Sequence, residues 1–208
     1  MLLTLAAALT GLLHIRAEFA GARRQVYLLK PLTTALILAA ALALPAADGV
    51  YRALVAAGLI FSLAGDIFLM LPRDAFLPGM VSFLVAHLLY IAAFTRPNGW
   101  ALAPLALALL ALFGIGYSAL LWPKLGALRW PVLAYIATIL VMAWQAIGLW
   151  QTAETTAAGR ATLGALSFVA SDASLAWDRF RRPLRLAPLM VLGTYYLAQA
   201  LIAWSVTG

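Results

Sequence analysis

The sequence predicts an all-α protein, a polytopic transmembrane helix bundle of about eight helices. Three observations predict it. Of the 208 residues, 65% are hydrophobic and 10% are charged, against roughly 25% charged in a soluble domain. The apolar residues fall in runs close to the ~20 residues a helix needs to cross a bilayer. The basic residues sit in every second gap between those runs. A globular core of this size cannot bury so much apolar surface. A solvent of lipid tails removes the difficulty, because apolar side chains can then face outwards.

The spans read at 2–17, 31–46, 53–71, 77–94, 100–121, 130–150, 161–177 and 187–206. The first lacks the positive leading region of a signal peptide, and its charges follow the apolar run, so it reads as a spanning helix. The second is taken to start at Pro31, after Lys30, because proline favours a first helical turn. The third to eighth are separated by short punctuated gaps. Examples are Pro72-Arg73-Asp74, Arg96-Pro97-Asn98-Gly99 and Pro123-Lys124-Leu125-Gly126, rich in residues that end helices. Little chain is left over, so residues 1–208 read as a single integral membrane domain.

Charge orients the spans. The gaps after spans 1, 3, 5 and 7 hold Arg16, Arg23, Arg24, Lys30, Arg73, Lys124, Arg129, Arg179, Arg181, Arg182 and Arg185. Only Arg52, Arg96 and Arg160 lie elsewhere. The excess of basic residues marks the cytoplasmic loops and places both termini outside the cytoplasm. The expected location is a bacterial inner membrane, crossed many times. Trp100, Trp122, Trp130, Trp150, Trp177 and Trp204 near run ends fit an interfacial belt.

Composition also excludes. There is no cysteine, hence no disulfide, thiolate nucleophile or cysteine metal site. Two histidines, His14 and His87, are too few for a three-histidine zinc site. No metal or cofactor is expected. The net charge of +7 follows from topology, and without a basic amphipathic face it predicts no nucleic-acid partner.

Charged residues inside spans are rare and usually functional. Asp66 and Asp172 stand out here. Each follows a small residue, Gly65 or Ser171, and each has a glycine, Gly58 or Gly164, eight positions earlier. Each lies about five residues, roughly 8 Å, from the cytoplasmic end of its span. Two carboxylates thus sit at one depth on helices running the same way, and are expected to face one cavity. The bland alternative is that each glues helices through a hydrogen bond. Ser62, Ser82, His87, Tyr90, Tyr195 and Gln199 converge on the same half of the membrane, and Lys30 sits at its mouth. Each alone is equally a helix–helix contact, or for Lys30 a snorkelling side chain. His14 and Glu18 are ambiguous. Phe83-Leu-Val-Ala-His87-Leu-Leu is similar to Tyr195-Tyr-Leu-Ala-Gln199-Ala-Leu, which suggests a parallel internal repeat of spans 3–4 and 7–8.

At these residues the chain resembles a known family. Lys30-Pro-Leu-Thr-Thr34, Gly58-Leu-Ile-Phe-Ser-Leu-Ala-Gly-Asp66, Val81-Ser-Phe-Leu-Val-Ala-His87-Leu-Leu-Tyr90, Ser171-Asp172 and Leu192-Gly-Thr-Tyr-Tyr-Leu-Ala-Gln199 together look like the YhhN/TMEM86 family. The motifs run in order from Lys30 to Gln199 and are jointly specific, though none is alone. The resemblance implies an eight-helix, lysoplasmalogenase-like enzyme. Its substrate would be a lysophospholipid within the membrane, and its products a fatty aldehyde and glycerophosphoethanolamine or -choline. The family's paired intramembrane aspartates map onto Asp66 and Asp172.

The chemistry fits the residues. A vinyl ether is cleaved by protonating its alkene carbon, adding water to the oxocarbenium ion and collapsing the hemiacetal. That requires one acid and one carboxylate, which two neighbouring aspartates supply. Lys30 and loop arginines suit the lipid phosphate, and His87 or Tyr195 suits the dyad or the water. The alternative is a small transporter or proton-coupled carrier using the same aspartates as a relay. A carrier needs a path to both faces, whereas the polar residues here cluster on one.

Overall fold

The computed structural model describes residues 1–207. Eight α-helices account for almost all of it: α1 Leu2–Phe19, α2 Arg23–Ala43, α3 Gly49–Met70, α4 Phe76–Thr95, α5 Pro104–Leu121, α6 Arg129–Ala153, α7 Thr156–Phe180 and α8 Ala187–Trp204. Seven are long and apolar enough to cross a membrane. In lipid every backbone N–H and C=O must be satisfied within the segment, so helices are the form these apolar runs take.

The exception in apolarity is α7. Arg160, Thr162, Ser167, Ser171, Asp172 and Ser174 dilute its hydrophobic character. Two of these groups find partners on neighbouring helices. The Thr162 hydroxyl donates to the Ala146 carbonyl at 2.7 Å, and Ser171 donates to the Val191 carbonyl at 2.9 Å. A helix between two others can carry polar groups that a lipid-facing helix cannot.

The second helix starts earlier than its proline suggests. It begins at Arg23, and Pro31 lies inside it. Pro31 costs α2 one backbone hydrogen bond, which membrane helices tolerate when neighbours re-satisfy the freed groups. The consequence is that Lys30 stands on the second turn of a helix, its side chain only 12% exposed.

Six helices form a ring in the order α2, α3, α4, α6, α7, α8, with α1 against α2 and α8 and α5 outside against α6. The ring has an approximate twofold character: α2, α3 and α4 correspond to α6, α7 and α8. Gly58 on α3 lies directly against the ring of Tyr90 on α4, and Gly164 on α7 lies against Ile202 on α8. In the sequence repeat, Tyr90 and Ile202 are equivalent positions, so the two helix pairs pack in the same register. Glycine at such a crossing lets the backbones approach closely.

The two ends of the bundle are stitched separately. At the basic end, Arg179 donates to both oxygens of Asp74 at 3.1 and 2.9 Å. At the opposite end, Asp48 caps α3 by accepting from the Val50 and Tyr51 amides, and it pairs with Arg96 at 3.0 Å. Those backbone amides, chiefly that of Tyr51, hold the Asp48 carboxyl below the usual carboxylate range.

Candidate active site

Asp66 lies one turn before the end of α3 and is 1% exposed. Its Oδ2 takes two hydrogen bonds, and its Oδ1 faces a cation. Thr34 of α2 donates at 2.6 Å, Tyr195 of α8 donates at 2.7 Å, and the Lys30 ammonium stands 3.6 Å away. Lys30 and Thr34 are one turn apart on α2, so one face of that helix delivers both. Tyr195 in turn accepts from Gln199 at 3.2 Å, and Gln199 accepts from Tyr90 at 2.8 Å. Ser62, a turn before Asp66, has a buried hydroxyl without a partner. Six of the residues singled out in the sequence are thus brought together: Asp66, Lys30, Ser62, Tyr90, Tyr195 and Gln199.

Asp172 belongs to a second cluster. Its carboxylate accepts from the hydroxyl of Tyr135 on α6. Nearby, the Tyr117 hydroxyl donates to the Ala173 carbonyl, tying α5 to α7. Asp172 lines a cavity of about 70 Å³ between α4, α5, α6 and α7, with Leu69 of α3 also on its wall. Its other walls are apolar or aromatic, among them Met80, Phe83, Tyr117, Ile139 and Phe180. The cavity sits at the basic end, since Phe76 opens α4 and Phe180 closes α7.

The expectation that both carboxyls face one cavity is not met. Asp66 is not among the residues lining the Asp172 cavity. The physical reason is the aromatic cluster linking the two. Tyr195, which holds Asp66, meets Phe83 edge-on at 5.8 Å and Phe168 at 5.5 Å, and Phe83 is a wall of the cavity.

His87 stands beside the second cluster. It is fully buried, its ring 4.6 Å from that of Phe168 and 5.2 Å from that of Tyr135. Neither ring nitrogen has a hydrogen-bond partner. A buried imidazole with two orphaned nitrogens calls for a partner that the fold does not supply. Ser82 is buried on α4 and hydrogen-bonds neither aspartate. Sequence reasoning missed Tyr135 and Thr34. Tyr135 carries the same signal as Tyr195, a hydroxyl inside an apolar run at matching depth, and that rule applied to span 6 finds it. His14 and Glu18 form a third, separate group: His14 Nδ1 meets the Tyr196 hydroxyl at 2.7 Å and its Nε2 lies 3.4 Å from Glu18.

Comparison with known proteins bears on what this arrangement is. The YhhN family pattern matches residues 25–206, nearly the whole chain. The chain belongs to the YhhN family. An Escherichia coli O157:H7 relative, called uncharacterized membrane protein YhhN, is 34% identical over 205 residues, covering 97% of this chain and 96% of its own. Human lysoplasmalogenase TMEM86B is 40% identical over 160 residues, covering 76% of this chain and 65% of that protein. Bovine lysoplasmalogenase TMEM86A is 40% identical over 158 residues, 71% and 62% of the two chains. No solved structure matches. With its apolar helices and its relatives named as membrane proteins, this YhhN-family member is an integral, multi-pass membrane protein.

Proposed function

We propose that this chain is a membrane-embedded, lysoplasmalogenase-like hydrolase acting on the vinyl ether bond of a lysoplasmalogen. The products are a fatty aldehyde and glycerophosphoethanolamine or -choline. One observation carries the reading: a single carboxyl, Asp172, held by Tyr135, opens on an otherwise apolar cavity at the basic end. A lysolipid is built to match, with a long chain for apolar walls and one acid-labile bond. The relatives named lysoplasmalogenase support the same assignment.

Asp172 in its acid form gives its proton to the alkene carbon remote from oxygen, leaving an oxocarbenium ion. Its carboxylate then takes a proton from the water that adds to the adjacent carbon, which restores the acid. The resulting hemiacetal loses its hydroxyl proton as the bond to the glycerol oxygen breaks, and that oxygen is protonated. His87, with two unpartnered nitrogens beside Tyr135, holds the attacking water. Asp66 is the second member of the aspartate pair. Ion-paired with Lys30, it supplies negative charge toward the cation and fixes Tyr195 behind the cavity wall. Gln199, itself fixed by Tyr90, holds Tyr195 in turn, and Ser62 and Ser82 are polar contacts for the lipid. The single membrane domain lies in a bacterial inner membrane with both termini outside the cytoplasm, so the cavity serves the cytoplasmic leaflet.

The test is aldehyde release from lysoplasmenylethanolamine by purified protein. Wild type should release aldehyde. Asp172→Asn and Asp66→Asn should each lose about 10²-fold or more, and the double variant should cost little beyond either single one. A silent wild type, or active asparagine variants at both positions, would sink the proposal.

A further inference from the structure

We infer that Arg129 is the anchor for the lipid's phosphate at the mouth of the Asp172 cavity. The inference rests on reading that cavity as the lysophospholipid site. Arg129 is the first residue of α6. One turn on, Val132 lines the cavity, and one further turn on, Tyr135 holds Asp172. Residues three apart on a helix are neighbours, so Val132 adjoins both Arg129 and Tyr135, and the cation stands beside the cavity lining, under two turns from the acid-holding phenol.

This placement has the dimensions of a lysophospholipid. Six residues from Arg129 to Tyr135 rise about 9 Å along the helix. In the lipid, five single bonds separate the vinyl ether oxygen from phosphorus, roughly 6 Å when extended. A bond placed at Asp172 therefore puts the phosphate within reach of a long side chain rooted at Arg129. The alkenyl chain then runs the other way, past Ile139, Leu140 and Val169 toward the bilayer centre.

Arg129 is also the arginine left unused. Arg179 is held by Asp74, and Arg96 by Asp48. Arg16, Arg23, Arg24, Arg73, Arg181, Arg182 and Arg185 are exposed. Lys30, the other basic residue drawn inwards at this end, is on Asp66. Arg129 is partly buried, its Nε is enclosed without a hydrogen-bond partner, and no carboxylate pairs with it among the described residues. Its guanidinium lies over the ring of Trp122, 5.0 Å from the centroid. That cation–π contact holds the group against the ring and leaves N–H donors for a phosphate. A desolvated donor without a partner is costly unless a ligand completes it.

The experiment uses the purified full chain and two non-hydrolysable probes, a saturated alkyl-ether lysophosphocholine and the matching alkylglycerol, which lacks phosphate. Glycerophosphocholine, which lacks the chain, serves as a third arm. Wild type should bind the phosphate-bearing ether about tenfold or more tightly than the alkylglycerol, and should bind chainless glycerophosphocholine poorly. Arg129→Gln should lose that preference, with KM for lysoplasmenylcholine raised and kcat nearly unchanged. Arg52→Gln, a change in the first turn of α3 at the opposite end of the bundle, should keep both. An Arg129→Gln protein that retains the phosphate preference would overturn the proposal. Should that variant not fold, Arg129→Lys decides: a reduced preference supports the guanidinium contact, and one equal to wild type refutes it. Binding is measured without turnover. If wild type releases no aldehyde while Arg129→Gln abolishes the preference, the hydrolase reading fails and the phosphate site stands.

Discussion

Lys30 and Asp66 show at the scale of a residue what a sequence can and cannot say. Both were legible as unusual, one a charge inside an apolar run, the other a cation beside a proline. Their contact was not, because linear spacing between two helices carries no distance. The 3.6 Å pair gives Lys30 a structural part. Removing one member of a buried ion pair leaves the other uncompensated and costs about 3–5 kcal/mol. Lys30→Met should therefore lower the thermal midpoint in detergent markedly, and adding Asp66→Asn should recover most of the loss. Aldehyde release should stay low in the double variant, since stability returns but the aspartate does not. A Lys30→Met protein as stable as wild type would show that the pair contributes nothing to the fold. Tyr135 escaped notice for a different reason: it carries the same signal as Tyr195, but no matched motif draws the eye to span 6, and its hydroxyl is seen on Asp172 only in the fold.

At the scale of an element, the helices themselves were the most legible feature, because bilayer thickness fixes run length. The starting point of α2 was misplaced, since proline marks a helix start in water more reliably than in lipid, where neighbours repair the missing bond. Glycine positions give a sharper test. A Cβ at Gly58 would collide with the Tyr90 ring, and one at Gly164 would meet the Ala198 carbonyl at 3.0 Å. A Cβ at Gly116 on α5 meets nothing within 4 Å. Gly58→Ala and Gly164→Ala should each destabilise, by about 1–3 kcal/mol of overpacking. Gly116→Ala should be neutral or gain up to about 1 kcal/mol from helix propensity. Thermal unfolding of the three proteins in one detergent decides it; equal midpoints would mean the crossings are looser than the register implies.

The whole molecule is organised by two asymmetries, of charge and of repeat. Arginines gather at one end, which predicts an orientation: a reporter that works only in the cytoplasm should be silent at the C-terminus and bright in the α5–α6 connection. The reverse pattern would invert the bundle and move the cavity to the other leaflet. The repeat was faintly legible in one matched segment, and the paired crossings at Gly58 and Gly164 extend it into three dimensions. Its extension to α2 and α6 was not legible, since the two share almost no residues.

Two identical half-chains around an axis along the membrane normal would build this same ring, but every feature would then occur twice. Joining the halves in one polypeptide removes that obligation. Where α8 carries Tyr195, α4 carries Phe83 at the matching place, and Phe83 has no hydroxyl to give. One acid is therefore locked into a network while its counterpart opens on a cavity. A single covalent connection between α4 and α5 is what permits one scaffold to hold a closed copy and an open copy of the same motif.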